Sequence, residues 1–218
     1  MKRVTCEANT EQFRSEFLKK IDYCDSETAS KFVSYYRLLL EWNERINLTA
    51  ITDPKGVAER HFADSLLALS LIPQGAKVID VGTGAGFPGI PLKLVRPDIE
   101  LTLLDSLNKR IVFLNFVLKE LGIEADTFHM RAEDGARNVK LHECFDIAVS
   151  RAVASMAKIT EWTLPFVKKG GASLLYKGPN ADDELSETSP LLKKMHINAS
   201  VKRYNCTWGE RCIVILNK

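Results

Sequence analysis

Apolar residues early in the chain return at steps of three and four. Phe32, Tyr36, Leu39, Trp42 and Ile46 form one stripe, the signature of an amphipathic helix. Asn47-Leu48-Thr49 and the turn around Asp53-Pro54 end it. Asp53 then reads as an N-cap with Pro54 at the first helical position, where a missing N–H costs nothing. The new helix is expected to run to about Leu71, and Pro73-Gln74-Gly75 closes the region. Residues 1–72 are therefore read as a helical extension and residues 73–218 as one compact domain.

From Ala76 the rhythm changes. Lys77-Val78-Ile79-Asp80-Val81 is a short, nearly continuous apolar run, as expected of a strand buried on both faces of a parallel sheet. Glycines follow, then a helical segment from Pro88 to Val95, and Glu100–Asp105 is a second strand. The next helix sets Ile111, Leu114, Leu118 and Leu121 on one face and stops at Gly122, a natural residue for leaving a helix. Ala125–Met130, Phe145–Ser150 and Ala172–Tyr176 are further strands. A helix from Ser155 to Phe166 lies between the last two, with Lys168-Lys169-Gly170-Gly171 as its terminator. Ser200–Tyr204 and Cys212–Leu216, joined through Asn205–Glu210, pair as a hairpin. Strands alternating with helices imply an α/β fold: a doubly wound, mostly parallel, Rossmann-like sheet with a C-terminal antiparallel pair.

Composition narrows the class. The 218 residues are 45% hydrophobic and 27% charged, the balance of a soluble globular protein. No stretch approaches the ~20 apolar residues that span a bilayer, and the first residues lack the apolar core of a signal peptide. A cytoplasmic protein with no membrane partner is expected. The five cysteines (Cys6, Cys24, Cys144, Cys206, Cys212) are scattered, which fits reduced thiols better than a disulfide framework. His61, His129, His142 and His196 stand far apart, so no metal is expected. Net charge is only +2. The end of the chain is more basic: Lys193, Lys194, Lys202, Arg203, Arg211 and Lys218 stand against Glu210 after Leu191. Such a face is open to solvent or to phosphates.

The chemistry concentrates at Asp80-Val81-Gly82-Thr83-Gly84-Ala85-Gly86-Phe87. It lies between a predicted strand and helix, at the carboxyl edge where such sheets bind ligands. Glycine lets the backbone turn sharply and approach a ligand closely. A dinucleotide fingerprint would place glycine where Phe87 stands, and a phosphate loop would need Gly-Lys-Ser/Thr, which is absent. Asp105, closing the second strand, can accept hydrogen bonds from both hydroxyls of a ribose. Gly-x-Gly-x-Gly after an acid-ended strand, with that second acid, is the pattern of class I methyltransferases and implies S-adenosyl-L-methionine. The loop expected to face the methyl group is Ser150-Arg151-Ala152-Val153-Ala154. It lacks the Asn/Asp-Pro-Pro-aromatic motif of amine methylases and the cysteine nucleophile of cytosine-C5 enzymes; Cys144 lies at the wrong end of the strand. An intrinsically nucleophilic ring nitrogen such as guanine N7 needs neither. Arg151, a cation at a strand's carboxyl end, calls for an anionic partner, either the cofactor's carboxylate or an RNA phosphate.

Several segments resemble the bacterial small-subunit ribosomal RNA guanine-N7 methyltransferases, formerly called glucose-inhibited division protein B. They are Trp42–Thr49, Arg60-His61-Phe62-Ala63-Asp64-Ser65, Val78–Leu92, Leu104-Asp105-Ser106 with Lys109-Arg110, Arg131-Ala132-Glu133, Ser150-Arg151-Ala152 and Tyr176-Lys177-Gly178. They keep family order over most of the chain from about Ser34. The resemblance implies methylation of N7 of guanine 527 in 16S ribosomal RNA, as naked RNA or within the small subunit; a monomer is expected. It implies a cofactor pocket lined by Asp80, Gly82, Gly84, Gly86 and Phe87, with Asp105 on the ribose and Ala132 and Glu133 flanking the adenine. Arg151 would sit near the methionine end or the incoming base. A small-molecule methyltransferase and a non-catalytic RNA-binding module are the competing readings.

Local alternatives are blander. His61, Asp64 and Ser65 fall on one helix face, which suits packing or RNA contact better than a hydrolase triad drawn from separate elements. Trp42 and Phe32 read as core. Lys177-Gly178 reads equally as a closing loop or a phosphate contact.

Overall fold

The computed structural model describes residues 2–21, 24–151 and 154–218. Ala152 and Val153, in the loop expected to face the methyl group, lie outside them. Helix α1 spans Lys2–Leu18 and α2 Ser26–Ile46. The Asp25 carboxylate caps α2 by accepting from the Thr28 backbone N–H at 2.7 Å, and Asn47 leaves it in the left-handed region with φ 50°. Asp53 caps the next helix, accepting from Gly56 N–H at 2.7 Å with Pro54 at the first turn, as its sequence implies. That helix is not the regular one expected. After the single α turn α3 (Pro54–Gly56) it widens into a π-helical segment, Val57–Ala63, and then tightens to 3-10 geometry over Leu66–Leu71. Apolar spacing alone does not separate these geometries, because each keeps residues three to five apart on one side.

The sheet has seven strands: β1 (Lys77–Val81), β2 (Glu100–Asp105), β3 (Asp126–His129), β4 (Phe145–Arg151), β5 (Val167–Lys177), β6 (Asn198–Cys206) and β7 (Gly209–Asn217). Their order is β3-β2-β1-β4-β5-β7-β6. Neighbours from β3 to β5 are parallel, and β7 runs antiparallel to both β5 and β6. Around the sheet stand α4 (Gly89–Val95), α5 (Asn108–Leu121), α6 (Ala132–Gly135), α7 (Met156–Thr163) and α8 (Ala181–Lys194). The expected doubly wound fold with its antiparallel C-terminal pair is present. The order reverses between β1 and β4, which opens a crevice at the carboxyl ends of the central strands.

Two local expectations, the Lys168–Gly171 terminator and the hairpin joint, need correction. Lys168-Lys169-Gly170-Gly171 does not terminate a helix but opens β5; α7 has already ended at Thr163, followed by a 3-10 turn over Leu164–Phe166. The β4–β5 register shifts there, and a Cβ on Gly171 would collide with the Asp146 carbonyl. Glycine thus marks a close backbone approach inside a strand. The acidic run Asp182-Asp183-Glu184 forms the first turn of α8, where negative charge complements the helix dipole. The hairpin joint is only Thr207-Trp208, with Gly209 at φ 113°.

Phe13, Phe17, Phe32, Tyr35, Tyr36 and Phe62 are each no more than 1% exposed and belong to one apolar cluster with Val78, Ile90, Leu103 and Val149 of the sheet layer. Trp42, at the edge of that cluster, packs against Phe113 and Phe116. Cys24, Cys144, Cys206 and Cys212 are free thiols. Among the described residues no helix is long and apolar enough to cross a membrane.

Candidate functional site

The turn after β1 is held by hydrogen bonds from Gly82 N–H and Thr83 N–H to the Leu104 carbonyl of β2, at 2.9 and 3.2 Å. Gly82, Gly84 and Gly86 all have positive φ, 72°, 62° and 94°, where side chains are strained. Their surroundings differ. A Cβ on Gly84 would meet nothing within 4 Å, whereas one on Gly86 would collide with the Tyr35 hydroxyl and Ile90. Tyr35, from α2, donates its hydroxyl to the Ala85 carbonyl and stacks on Phe87 at 5.4 Å. Gly84 therefore borders open space for a ligand, while Gly86 makes room for a tyrosine.

Asp80 and Gly86, expected beside a cofactor, are turned to the protein instead. The Asp80 carboxylate is fully buried and accepts from Thr83 Oγ1 at 2.7 Å and Gly89 N–H at 2.8 Å, both on Oδ2. Its Oδ1 has no partner among the described residues, and burial raises its pKa to about 7. It braces the glycine turn from beneath.

Asp105, 2% exposed, accepts from Gly84 N–H on Oδ2 and Leu107 N–H on Oδ1, both at 2.9 Å, and pairs with Arg110 at 3.1 Å. It lines a cavity of about 210 Å³ with Gly82, Ala132, Glu133 and Trp162. The Trp162 indole donates to Glu133 Oε1 at 2.8 Å and closes one wall. The structure thus brings together four of the predicted residues, drawn from the ends of β1, β2 and β3. A flat wall, a carboxylate and the Gly82 backbone edge make a cradle suited to an adenosine.

A second cavity, of about 440 Å³, also borders Gly82 and Arg110, so the two adjoin at the glycine turn. Gly84, Phe87, His61, Arg60, Arg151 and Arg211 line it. His61 stacks on Phe87 at 4.8 Å, and its Nε2 lies 2.7 Å from Thr49 Oγ1. Burial, then the nearby Arg151 cation, lowers its pKa to about 3, so the imidazole is neutral. Arg151 lies over the Phe87 ring at 5.2 Å. The anion expected for it is supplied by the chain itself: Nη1 donates to Asp64 Oδ2 at 2.9 Å, and also to the carbonyls of Arg60 and His61. Asp64 in turn accepts from Arg211 Nε at 3.0 Å and Trp208 Nε1 at 3.3 Å.

His61, Asp64 and Ser65 form no triad, since Asp64 points to the arginines and Ser65 donates to the His61 carbonyl. Lys177, also at this cavity, pairs with Glu184 of α8 at 2.6 Å. Much of the basic chain end is likewise tied down: Arg203 pairs with Asp182 and Lys218 with Glu143, while Lys193 and Lys194 are exposed. Sequence reasoning missed Tyr35 and Trp162. Neither belongs to a recognisable motif, and only long-range packing shows what they touch. No group of three metal-binding side chains exists among the described residues.

The chain has extensive relatives. The GidB family, rRNA small subunit methyltransferase G, matches residues 28–211. A protein called ribosomal RNA small subunit methyltransferase G from Clostridium beijerinckii is 50% identical over 170 residues, 77% of this chain and 71% of that one. Its namesake from Desulforamulus reducens is 48% identical over 177 residues, 80% and 73% of the two chains. Among solved structures, an O-methyltransferase from Bacillus cereus in complex with SAH shares the fold, with TM-score 0.61 and 15% identity over 93% of this chain and 96% of that one. By the family match across residues 28–211 and relatives about half identical over most of its length, the chain belongs to the rRNA small subunit methyltransferase G family.

Proposed function

We propose that this chain transfers the methyl group of S-adenosyl-L-methionine to N7 of guanine 527 in 16S ribosomal RNA. The observation that carries this reading is the junction of two cavities at Gly82, one built for an adenosine and one rich in arginine. Asp105 accepts the ribose hydroxyls, Ala132 and Glu133 flank the adenine, and Gly82, Gly84 and Phe87 border the path between cavities. When bound, the cofactor supplies an electrophilic methyl group on a sulfonium. Asp80 and Gly86 support the turn from within, and residues 1–72 serve as a helical extension to the methyltransferase unit 73–218.

Guanine N7 suits the larger cavity because it presents a lone pair and needs no base; placement and alignment then supply much of the rate. The neutral His61 adds no second cation beside a ring that becomes positive on methylation. A cysteine route is disfavoured. Cys212 borders this cavity, but burial raises its thiol pKa and keeps it protonated. The arginines account for an RNA substrate over a small one, and RNA affinity should therefore fall steeply with salt. Incubation with labelled cofactor and 16S RNA, or small subunits lacking the modification, should place label at one guanine N7. Label found only on small molecules would refute the reading.

A further inference from the structure

Arg151 is held by one end only. Its Nη1 meets three acceptors, Asp64 Oδ2 and the carbonyls of Arg60 and His61, between 2.9 and 3.2 Å. Phe87 lies against its face. The other edge of the fork, Nε with Nη2, has no partner among the described residues, and the side chain borders the larger cavity. Asp64 is only 7% exposed at its side chain and is itself fixed by Arg211 and Trp208 of the β6–β7 hairpin. One carboxylate, at the end of the π-helical segment, therefore ties the end of β4 and the hairpin together through two guanidinium groups.

We propose that Asp64 is a positioning residue that aims the open edge of Arg151 at oxygen acceptors of the target nucleotide while keeping it off N7. This rests on the guanine-N7 reading above. An arginine free to rotate pairs bidentately with guanine O6 and N7, which would occupy the lone pair that must attack. Anchoring Nη1 takes away the end-on fork and leaves only the side-on Nε–Nη2 edge, in an orientation that Asp64 sets. Methylation also leaves positive charge on the guanine ring, and Asp64 offsets the arginine that would otherwise repel it. Asp64 need not touch the substrate; it acts through Arg151.

Steady-state methylation of 16S RNA by Asp64→Asn, Arg151→Ala and the double variant, with calorimetric cofactor titration of each, tests this. Asp64→Asn removes the charge and one of the two acceptor oxygens without changing volume, so Arg151 and Arg211 can no longer both be held. Its kcat should fall by about tenfold or more, with KM for RNA unchanged or lower and cofactor affinity unaltered. The double variant should be no slower than Arg151→Ala alone, because residues acting through one another are not additive. A wild-type kcat in Asp64→Asn overturns the proposal, as do losses that multiply in the double variant. So does a defect confined to cofactor affinity, which would place the open edge on the cofactor's carboxylate. Should Asp64→Asn fail to fold, Arg151→Lys serves: it retains a charge for Asp64 but has no second edge, and a wild-type rate there also overturns the proposal. If the wild-type protein places no methyl on RNA, the parent reading fails; if it does and Asp64→Asn matches it, only the present inference fails.

Discussion

A side chain at Gly84 would project into open space from a backbone at φ 62°, whereas at Gly86 it would strike Tyr35 and Ile90. The same residue type thus answers to a ligand at one position and to packing at the other. Gly84→Val should cost the folded protein about 1–2 kcal/mol of backbone strain and abolish most cofactor binding, seen by calorimetry beside a modest drop in melting temperature. Gly86→Val should do the reverse, with the melting temperature falling first. Equal behaviour of the two would contradict the division. Asp105→Ala removes charged hydrogen bonds and should weaken cofactor binding by about 1.5–3 kcal/mol; it also strips Gly84 N–H of its acceptor. Unchanged calorimetric affinity would mean that the ribose is held elsewhere. The phase of the glycines with the strand was legible in the sequence, but which glycine serves the ligand was not. That depends on a tyrosine 51 positions from Gly86, beyond any local pattern.

Among the elements, the parallel strands were the easiest to read, because burial on both faces leaves near-continuous apolar runs such as Val78–Val81. Helix α8 escaped notice. Only Ala181, Thr188 and Leu192 are buried along it, and Pro190 interrupts it, so its apolar stripe is too thin to register. The π-helical segment escaped for a different reason, since its hydrogen-bonding leaves no mark on composition. The link between Asp64 and Arg151 spans 87 positions, and Arg151 alone suggested an outside anion. Helix α2 is more than packing: through the Tyr35 hydroxyl it holds the Ala85 carbonyl of the glycine turn. Tyr35→Phe leaves that buried acceptor unpaired, at about 1–3 kcal/mol. Thermal melting should show the loss, and cofactor affinity should drop with it; an unaltered protein on both measures would show that the turn is stiff without this brace.

For the whole molecule, two buried groups near the site set opposing pH slopes. The native Asp80 carboxyl titrates at about 7, raised from 3.8 by burial. Between those values the folded state keeps a proton that the unfolded chain has released, so this group's contribution to stability declines as pH rises from about 4 to about 7. His61 is lowered from 6.5 to about 3, again chiefly by burial. The unfolded imidazole takes up a proton that the folded one refuses, so stability declines as pH falls from about 6.5 to about 3. The slopes oppose each other where they overlap. Urea unfolding across pH 4 to 7 should show Asp80→Asn losing the decline toward neutrality and His61→Gln losing part of the decline toward acid; curves parallel to wild type would refute both assignments.

The three tryptophans are divided among these surroundings. Trp162 walls the smaller cavity, Trp208 hangs from Asp64 beside the larger one, and Trp42 lies away from both among Phe113 and Phe116. Each chamber consequently has an intrinsic fluorophore in or beside it, over the constant emission of Trp42. Emission from Trp162 should report filling of the adenosine site, and emission from Trp208 the arrival of RNA. Single tryptophan-to-phenylalanine replacements would then resolve the order of loading in real time, without a label on either ligand.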